Sequence, residues 1–163
     1  MAKNTERNNT KQDNPKRREK VSFEYPTNVR FECTKCGLCC GDTKEKTRHI
    51  LLLTHEAEEI ATYTKQPIAK FAEKTTDKTP YTYEIKKDGN GKCNFLATNN
   101  NCGIYAIRPL ICRFYPFELK INKNKKHQFL YTTECPSIGK GKKLNKTYFK
   151  NLFQLAETKL QKA

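Results

Sequence analysis

Four cysteines fall within eight residues of this chain, as Cys33-Thr-Lys-Cys36-Gly37-Leu-Cys39-Cys40, and four more follow singly at Cys93, Cys102, Cys112 and Cys135. No other feature restricts the fold as much, because thiols at this density end either in disulfides or on metal ions. A C-x-x-C step lets two thiolates converge on one ion while the intervening turn aims backbone N–H groups at the sulfurs. Gly37 can take the positive φ that such a turn demands. Cys39 and Cys40 are less usual, since adjacent side chains diverge and seldom bind one tetrahedral ion together. If the segment after Cys36 turns helical, Cys36 and Cys40 lie one turn apart on the same face and Cys39 is rotated from them. Eight thiols permit two four-thiolate sites, or one iron–sulfur cluster with spare or redox-active thiols. Cys33, Cys36 and one member of the vicinal pair are expected to share a centre with a distant cysteine, Cys112 being the favoured one.

Disulfides are the alternative. Residues 1–20 carry no apolar segment of the kind a secretory signal needs, so the expected compartment is the cytoplasm, where thiols stay reduced. The apolar run Ile50 to Leu53 has only four residues, far fewer than a bilayer span requires. Metal also answers a need of the fold. Hydrophobic residues make up 36% of the 163, with no Trp, so the core is thin for the length, and metal–thiolate bonds add folding free energy that burial would not supply.

The net charge is +15. Seven basic and three acidic side chains in residues 1–20 account for +4, leaving +11 for the rest. The strongest block runs from Lys120 to Lys150, where nine lysines face Glu134 alone. Such a surface favours polyanions or an acidic protein partner, although no nucleic-acid motif or aromatic interleaving accompanies it, so a solvated lysine surface is preferred to a nucleic-acid site.

The expected fold class is α+β, a small irregular cysteine-cluster domain with short helices and β-hairpins around a metal centre and a C-terminal amphipathic helix. Residues 1–20 are too polar to bury enough surface to order and are read as a disordered basic tail; residues 21–163 form the cysteine-cluster metal-binding domain. Phe23, Tyr25, Val29 and Phe31 recur at even spacing, as in an extended lead-in to Cys33. His49 to Leu53 reads as a buried strand, followed by a helix to about Thr64 capped by Thr54, with Glu56, Glu58 and Glu59 suited to its first turn. Pro67 opens a second short helix with Ile68, Phe71 and Ala72 on one face. Tyr81, Tyr83 and Ile85 alternate like a strand, and Asp88-Gly89-Asn90-Gly91 turns the chain back toward Cys93. Residues 117–121 and 128–132 flank a Lys/Asn turn as a hairpin. From Asn145, a plausible cap, Phe149, Leu152, Phe153, Ala156 and Leu160 share one helical face.

Several of these pieces together resemble a known family. They are Phe31-Glu-Cys33-x-x-Cys36-Gly37-x-Cys39-Cys40, Cys93-Asn-Phe95-Leu96, Cys102-Gly-Ile104-Tyr105-x-x-Arg108-Pro109-x-x-Cys112-Arg113-x-Tyr115-Pro116-Phe117, and Cys135-Pro136. The combination, far more specific than any single C-x-x-C, resembles the CxxCxxCC cysteine-cluster family, also called YkgJ-type, from about residue 31 to 140. Ser137 departs from the family, which commonly has Gly there; little local disturbance is expected. The resemblance implies a zinc- or iron-chelating domain, often an iron–sulfur (4Fe-4S) protein, similar to the cysteine-rich part of flagellin lysine N-methylases.

The candidate metal ligands are therefore Cys33, Cys36, Cys39, Cys40, Cys93, Cys102, Cys112 and Cys135. Arg108 and Arg113, which flank Cys112, are candidates to stabilise an anionic thiolate centre or hold an acidic group. His55-Glu56 lacks a second His four residues on, so it is no zincin motif, and His49 and His127 are read as structural. The expected function is metal binding by an iron–sulfur cluster or Zn2+, with a redox or accessory role. A lysine N-methyltransferase-like enzyme is an alternative, against which stand the short chain and the lack of a Gly-rich nucleotide fingerprint. A zinc-stabilised nucleic-acid-binding module is a second.

Overall fold

The computed structural model describes residues 22–163. The tail expected to be disordered, residues 1–20, lies outside the described residues. In chain order the elements are β1 (Phe23–Glu24), β2 (Arg30–Phe31), β3 (Leu51–Leu52), α1 (Thr54–Thr64), α2 (Ile68–Phe71), β4 (Ala72–Lys74), β5 (Tyr83–Ile85), α3 (Leu110–Phe114), β6 (Phe117–Ile121), β7 (His127–Tyr131), β8 (Ile138–Lys143) and α4 (Lys146–Leu160). This is a mixture of helices and small sheets, in agreement with the α+β expectation. The sheets run β3-β5-β4, β1-β7-β6 and β2-β8.

Two apolar cores result. In the first, α1 lays Ala57 and Ile60 on the β3-β5-β4 sheet, where Leu52, Phe71 and Ile85 are also buried. Each such large side chain contributes about 1.5–3 kcal/mol by leaving water. Thr54 does not cap α1 as expected: it already lies within the helix, and its hydroxyl meets that of Thr82 at 2.9 Å. The end is satisfied instead by Glu56, whose Oε2 accepts the Leu53 N–H at 3.2 Å. Pro67 stands just before α2 with extended ψ, and Ala72 has already entered β4, because the helix is only one turn long and the chain must rejoin the sheet.

The second core is aromatic. Asn145 caps α4 as expected, accepting the Tyr148 N–H at 3.0 Å. The helix then buries Phe149, Leu152, Phe153 and Ala156, while Leu160 at its end is exposed. Phe149 meets Phe129 at 5.1 Å and Phe117 at 5.2 Å between ring centroids, so α4 is seated on the β6–β7 hairpin. The hairpin itself pairs Phe117 with Tyr131 through Ile121 with His127.

No strand was expected over Ile138–Lys143, which forms β8. It pairs antiparallel with β2, Phe31 opposite Ile138 and Arg30 opposite Lys143. The glycines permit this approach: Gly141 sits at φ +75 and passes so close to Glu32 that a Cβ would lie 2.4 Å from the Glu32 Cβ.

Candidate metal centre

The first cysteine run is shaped by two glycines. Gly37 adopts φ +74, and a one-turn 3-10 helix follows over Leu38–Cys40, closed by Cys40 N–H donating to the Gly37 carbonyl at 3.0 Å. Gly41 then pairs with Lys92, an approach that leaves a Cβ at Gly41 only 2.8 Å from the Gly91 carbonyl. Through this contact the Cys93 N–H reaches the Cys40 carbonyl at 2.7 Å. The Asp88–Gly91 turn supports it as expected, with Asp88 N–H donating to Lys92 O at 2.7 Å.

The single cysteines arrive by separate routes. Cys102 is bridged to Leu96 across a tight loop, which returns it beside Cys93. Cys112 rides on α3, whose first N–H, that of Leu110, donates to the buried Glu56 Oε1 at 2.8 Å. Cys135 precedes β8 and Cys33 follows β2, and the two segments are joined between Thr34 and Ser137. There the buried Ser137 hydroxyl accepts the Thr34 N–H at 3.1 Å and meets the Thr34 hydroxyl at 2.8 Å.

All eight cysteines are free thiols, and all eight line one cavity of about 390 Å³. First-core residues such as Ile50, Ile85 and Ile104 wall one side; Phe31 and Tyr148, which pack on the second core, also border it. Lys35, Lys46, Arg48, Arg108 and Arg113 share the lining, and among the described residues no carboxylate does. The vicinal sulfurs of Cys39 and Cys40 stand 3.8 Å apart, so these side chains converge more than adjacency suggests. Among the described residues, however, no three Cys, His, Asp or Glu side chains stand close enough together to hold one ion.

The electrostatics suit thiolates that form as metal enters. The Cys40 sulfur, then burial, pushes the Cys39 thiol well up from its ordinary value. Burial raises Cys93 to about 11 and also raises Cys102 and Cys112. The charge of Cys39 opposes ionisation at all three, while Arg108 favours it at Cys102 and Cys112 and Arg48 favours it at Cys39. Cys39, Cys93, Cys102 and Cys112 thus hold their protons until a cation replaces them. The Nε atoms of Arg48 and Arg108 are buried without a hydrogen-bond partner. Two unpaired guanidinium donors on the wall of a thiol-lined cavity fit a centre whose sulfurs carry negative charge.

A family model named CxxCxxCC and described as "Putative zinc- or iron-chelating domain" matches residues 32–136. The chain belongs to the CxxCxxCC family. All eight cysteines lie inside the matched span, and the family description supports zinc or iron as the metal. An uncharacterized protein of Methanocaldococcus jannaschii, MJ0661, is 34% identical over 110 residues, which is 66% of this chain and 56% of that relative. The chain therefore spans about half the length of that curated relative. No solved structure matches. Among the described residues no helix is long and apolar enough to cross a membrane.

Within this CxxCxxCC domain the two flanking arginines differ. Arg113 braces the loop, its Nε and Nη2 donating to the Arg108 and Ala106 carbonyls, both at 2.8 Å. Arg108 lies over the Tyr105 ring at 4.0 Å and keeps its Nε unpaired. His49 borders the cavity and meets Glu84 at 2.8 Å, and His127 packs edge-on against Phe153. Arg48 was missed by sequence reasoning, and Glu56 and Ser137, read only as a first-turn carboxylate and a departure from the family, take long-range roles it did not foresee. No local pattern marks them, since each owes its role to a partner far along the chain: Arg48 to Glu134 at 2.9 Å, Glu56 to Leu110, and Ser137 to Thr34.

Proposed function

We propose that this protein binds an iron–sulfur cluster through cysteine thiolates in the cavity and serves a redox or accessory role. The observation that carries the reading is the spread of eight thiols around about 390 Å³ with no three at single-ion spacing among the described residues. One tetrahedral ion about 2.3 Å from each sulfur needs donors about 3.8 Å apart. A polynuclear cluster instead distributes its four thiolates over a larger body. When bound, such a cluster supplies one-electron chemistry. The protein's share is to exclude water on the first-core side, to neutralise thiolate charge with Arg48 and Arg108, and to hold the cysteine loops in place. Reduced thiols suit a cytoplasmic location, and the lysine-rich surface suits an acidic protein partner.

Zinc is the second reading, favoured by the 3.8 Å between the Cys39 and Cys40 sulfurs, the edge expected of a zinc tetrahedron. Anaerobic purification followed by iron, zinc and acid-labile sulfide analysis decides between them. Iron and sulfide in matching amounts are expected; zinc without sulfide overturns the iron–sulfur reading.

A further inference from the structure

Five cations line the cavity, and their partners divide them. Lys46 and Arg48 both reach Glu134, at 3.8 and 2.9 Å. Arg113 has its Nε and Nη2 committed to backbone carbonyls. Lys35 and Arg108 have no carboxylate, since none of the ion pairs among the described residues includes either.

Both lie instead against one aromatic ring. The Arg108 guanidinium carbon is 4.0 Å from the Tyr105 ring centroid, and Lys35 Nζ is 5.5 Å from it. Stacking on a ring face fixes the plane of a guanidinium and leaves its N–H edge free to donate. For Arg108 that edge includes an Nε buried without a hydrogen-bond partner, although the side chain as a whole is only half-buried. Tyr105 is 42% exposed and Lys35 is exposed, so these side chains stand where the cavity meets solvent. The shared ring holds the two charges less than about 10 Å apart, one Debye length at about 0.1 M salt, where their repulsion is only partly screened.

A metal centre does not use up this charge. Four thiolates on Zn2+, or on an oxidised four-iron cluster core of the same 2+ charge, carry about −2. Set against five lining cations and the single carboxylate of Glu134, that leaves about two positive charges unanswered. The space suits an organic ligand as well: about 390 Å³ falls within the range of about 300–1,000 Å³ for small-molecule sites, and Ile50, Ile85, Ile104 and Ile111 are in its wall.

Going beyond the metal reading, and resting on it for one four-thiolate centre, we propose that the cavity also binds a small organic carboxylate. The Arg108 guanidinium holds its acid group, Lys35 supplies the second cation, and its apolar body lies on the isoleucine wall beside the thiolate centre. A carboxylate matches the planar N–H fork of an arginine. Inorganic phosphate would bring more charge and no apolar surface to such a wall.

The test is calorimetric titration of the full-length, metal-loaded protein with benzoate, phenylacetate and hexanoate, with benzamide as the neutral counterpart and inorganic phosphate as the competing anion. At least one carboxylate should bind saturably, one per chain, and benzamide should not. R108Q should weaken that binding by about tenfold or more, with metal per chain unchanged, and K35Q by a few-fold. K120Q, at an exposed lysine paired with Glu118 outside the cavity, should bind as wild type does. The proposal is overturned if no carboxylate binds wild type, if benzamide or phosphate binds as tightly, or if R108Q binds as wild type does. Where R108Q fails to fold or loses metal, K35Q decides, because Lys35 is exposed; an unchanged affinity there overturns the proposal. Metal and sulfide analysis of the same samples keeps the two readings apart: zinc in place of iron defeats the iron–sulfur reading and leaves the carboxylate result standing, whereas intact iron and sulfide with no carboxylate bound defeats this proposal alone.

Discussion

Replacing Glu56 should unfasten two helices at once. Its side chain is 1% exposed, with Oε2 accepting the Leu53 N–H at 3.2 Å and Oε1 the Leu110 N–H at 2.8 Å. Lys159 Nζ is 3.8 Å from Oε1, so the buried charge has a cationic neighbour on α4. A hydrogen bond to a charged acceptor contributes about 1.5–3 kcal/mol, and each buried N–H left unpaired costs a similar amount. Glu56→Ala removes the carboxylate from both N–H groups and should destabilise the protein by about 3–5 kcal/mol, a large part of a typical domain's stability. Glu56→Gln keeps one carbonyl oxygen but turns an NH2 toward the other donor, so about 1–3 kcal/mol is expected. Glu59→Gln is the control, since its exposed carboxylate meets Lys159 at 3.1 Å on the surface, where a pair contributes at most about 1 kcal/mol. Urea denaturation followed by circular dichroism, on metal-loaded and metal-stripped protein, reads all three. Because the Leu110 N–H opens the helix that carries Cys112, Glu56→Ala should also lower the metal bound per chain. A Glu56→Ala midpoint within error of wild type, or equal to that of Glu59→Gln, would refute the reasoning.

Gly37→Ala places a Cβ at φ +74 and 2.9 Å from Asn100 Oδ1, so a loss of about 1–2 kcal/mol from the backbone alone, with reduced metal content, should appear in thermal melts and metal analysis. Ser137→Ala removes the hydroxyl that holds Thr34; a cost of about 1–2 kcal/mol is expected, and amide exchange should rise at Thr34. In the metal-free protein Cys93 has its pKa raised from 9.0 to about 11. The stability this thiol lends is therefore full below pH 9.0 and lost as pH rises toward 11, and Cys93→Ala should flatten that alkaline decline in a pH series of denaturation curves. Complete chelation of metal should lower the melting temperature sharply, and an unchanged thermal transition would argue against metal-dependent folding.

The division between sequence and tertiary structure follows the range of the interactions involved. Local signals were legible: the positive φ at Gly37, the Asn145 cap, the hairpin over 117–131, the Asp88–Gly91 turn and the helical stripe of Phe149, Leu152 and Phe153 each depend on neighbours within a few residues. The family's cysteine pattern was equally legible, because ligand spacing is written along the chain. Local reading failed at Thr54, where a cap residue one position too late was overruled by the buried carboxylate of Glu56. It failed again at Ile138–Lys143, where glycine-rich sequence becomes a strand because β2 lies alongside it. That eight thiols separated by up to about a hundred residues line one cavity is a property of the assembled sheets. So is the joining of Thr34 to Ser137 beside the β2–β8 pair, and the packing of Cys102 and Cys112 on the first core. Sequence can state which groups are chemically able to hold metal; which of them meet is decided by packing between distant segments, whose hydrogen bonds and contacts leave no periodic mark on either one.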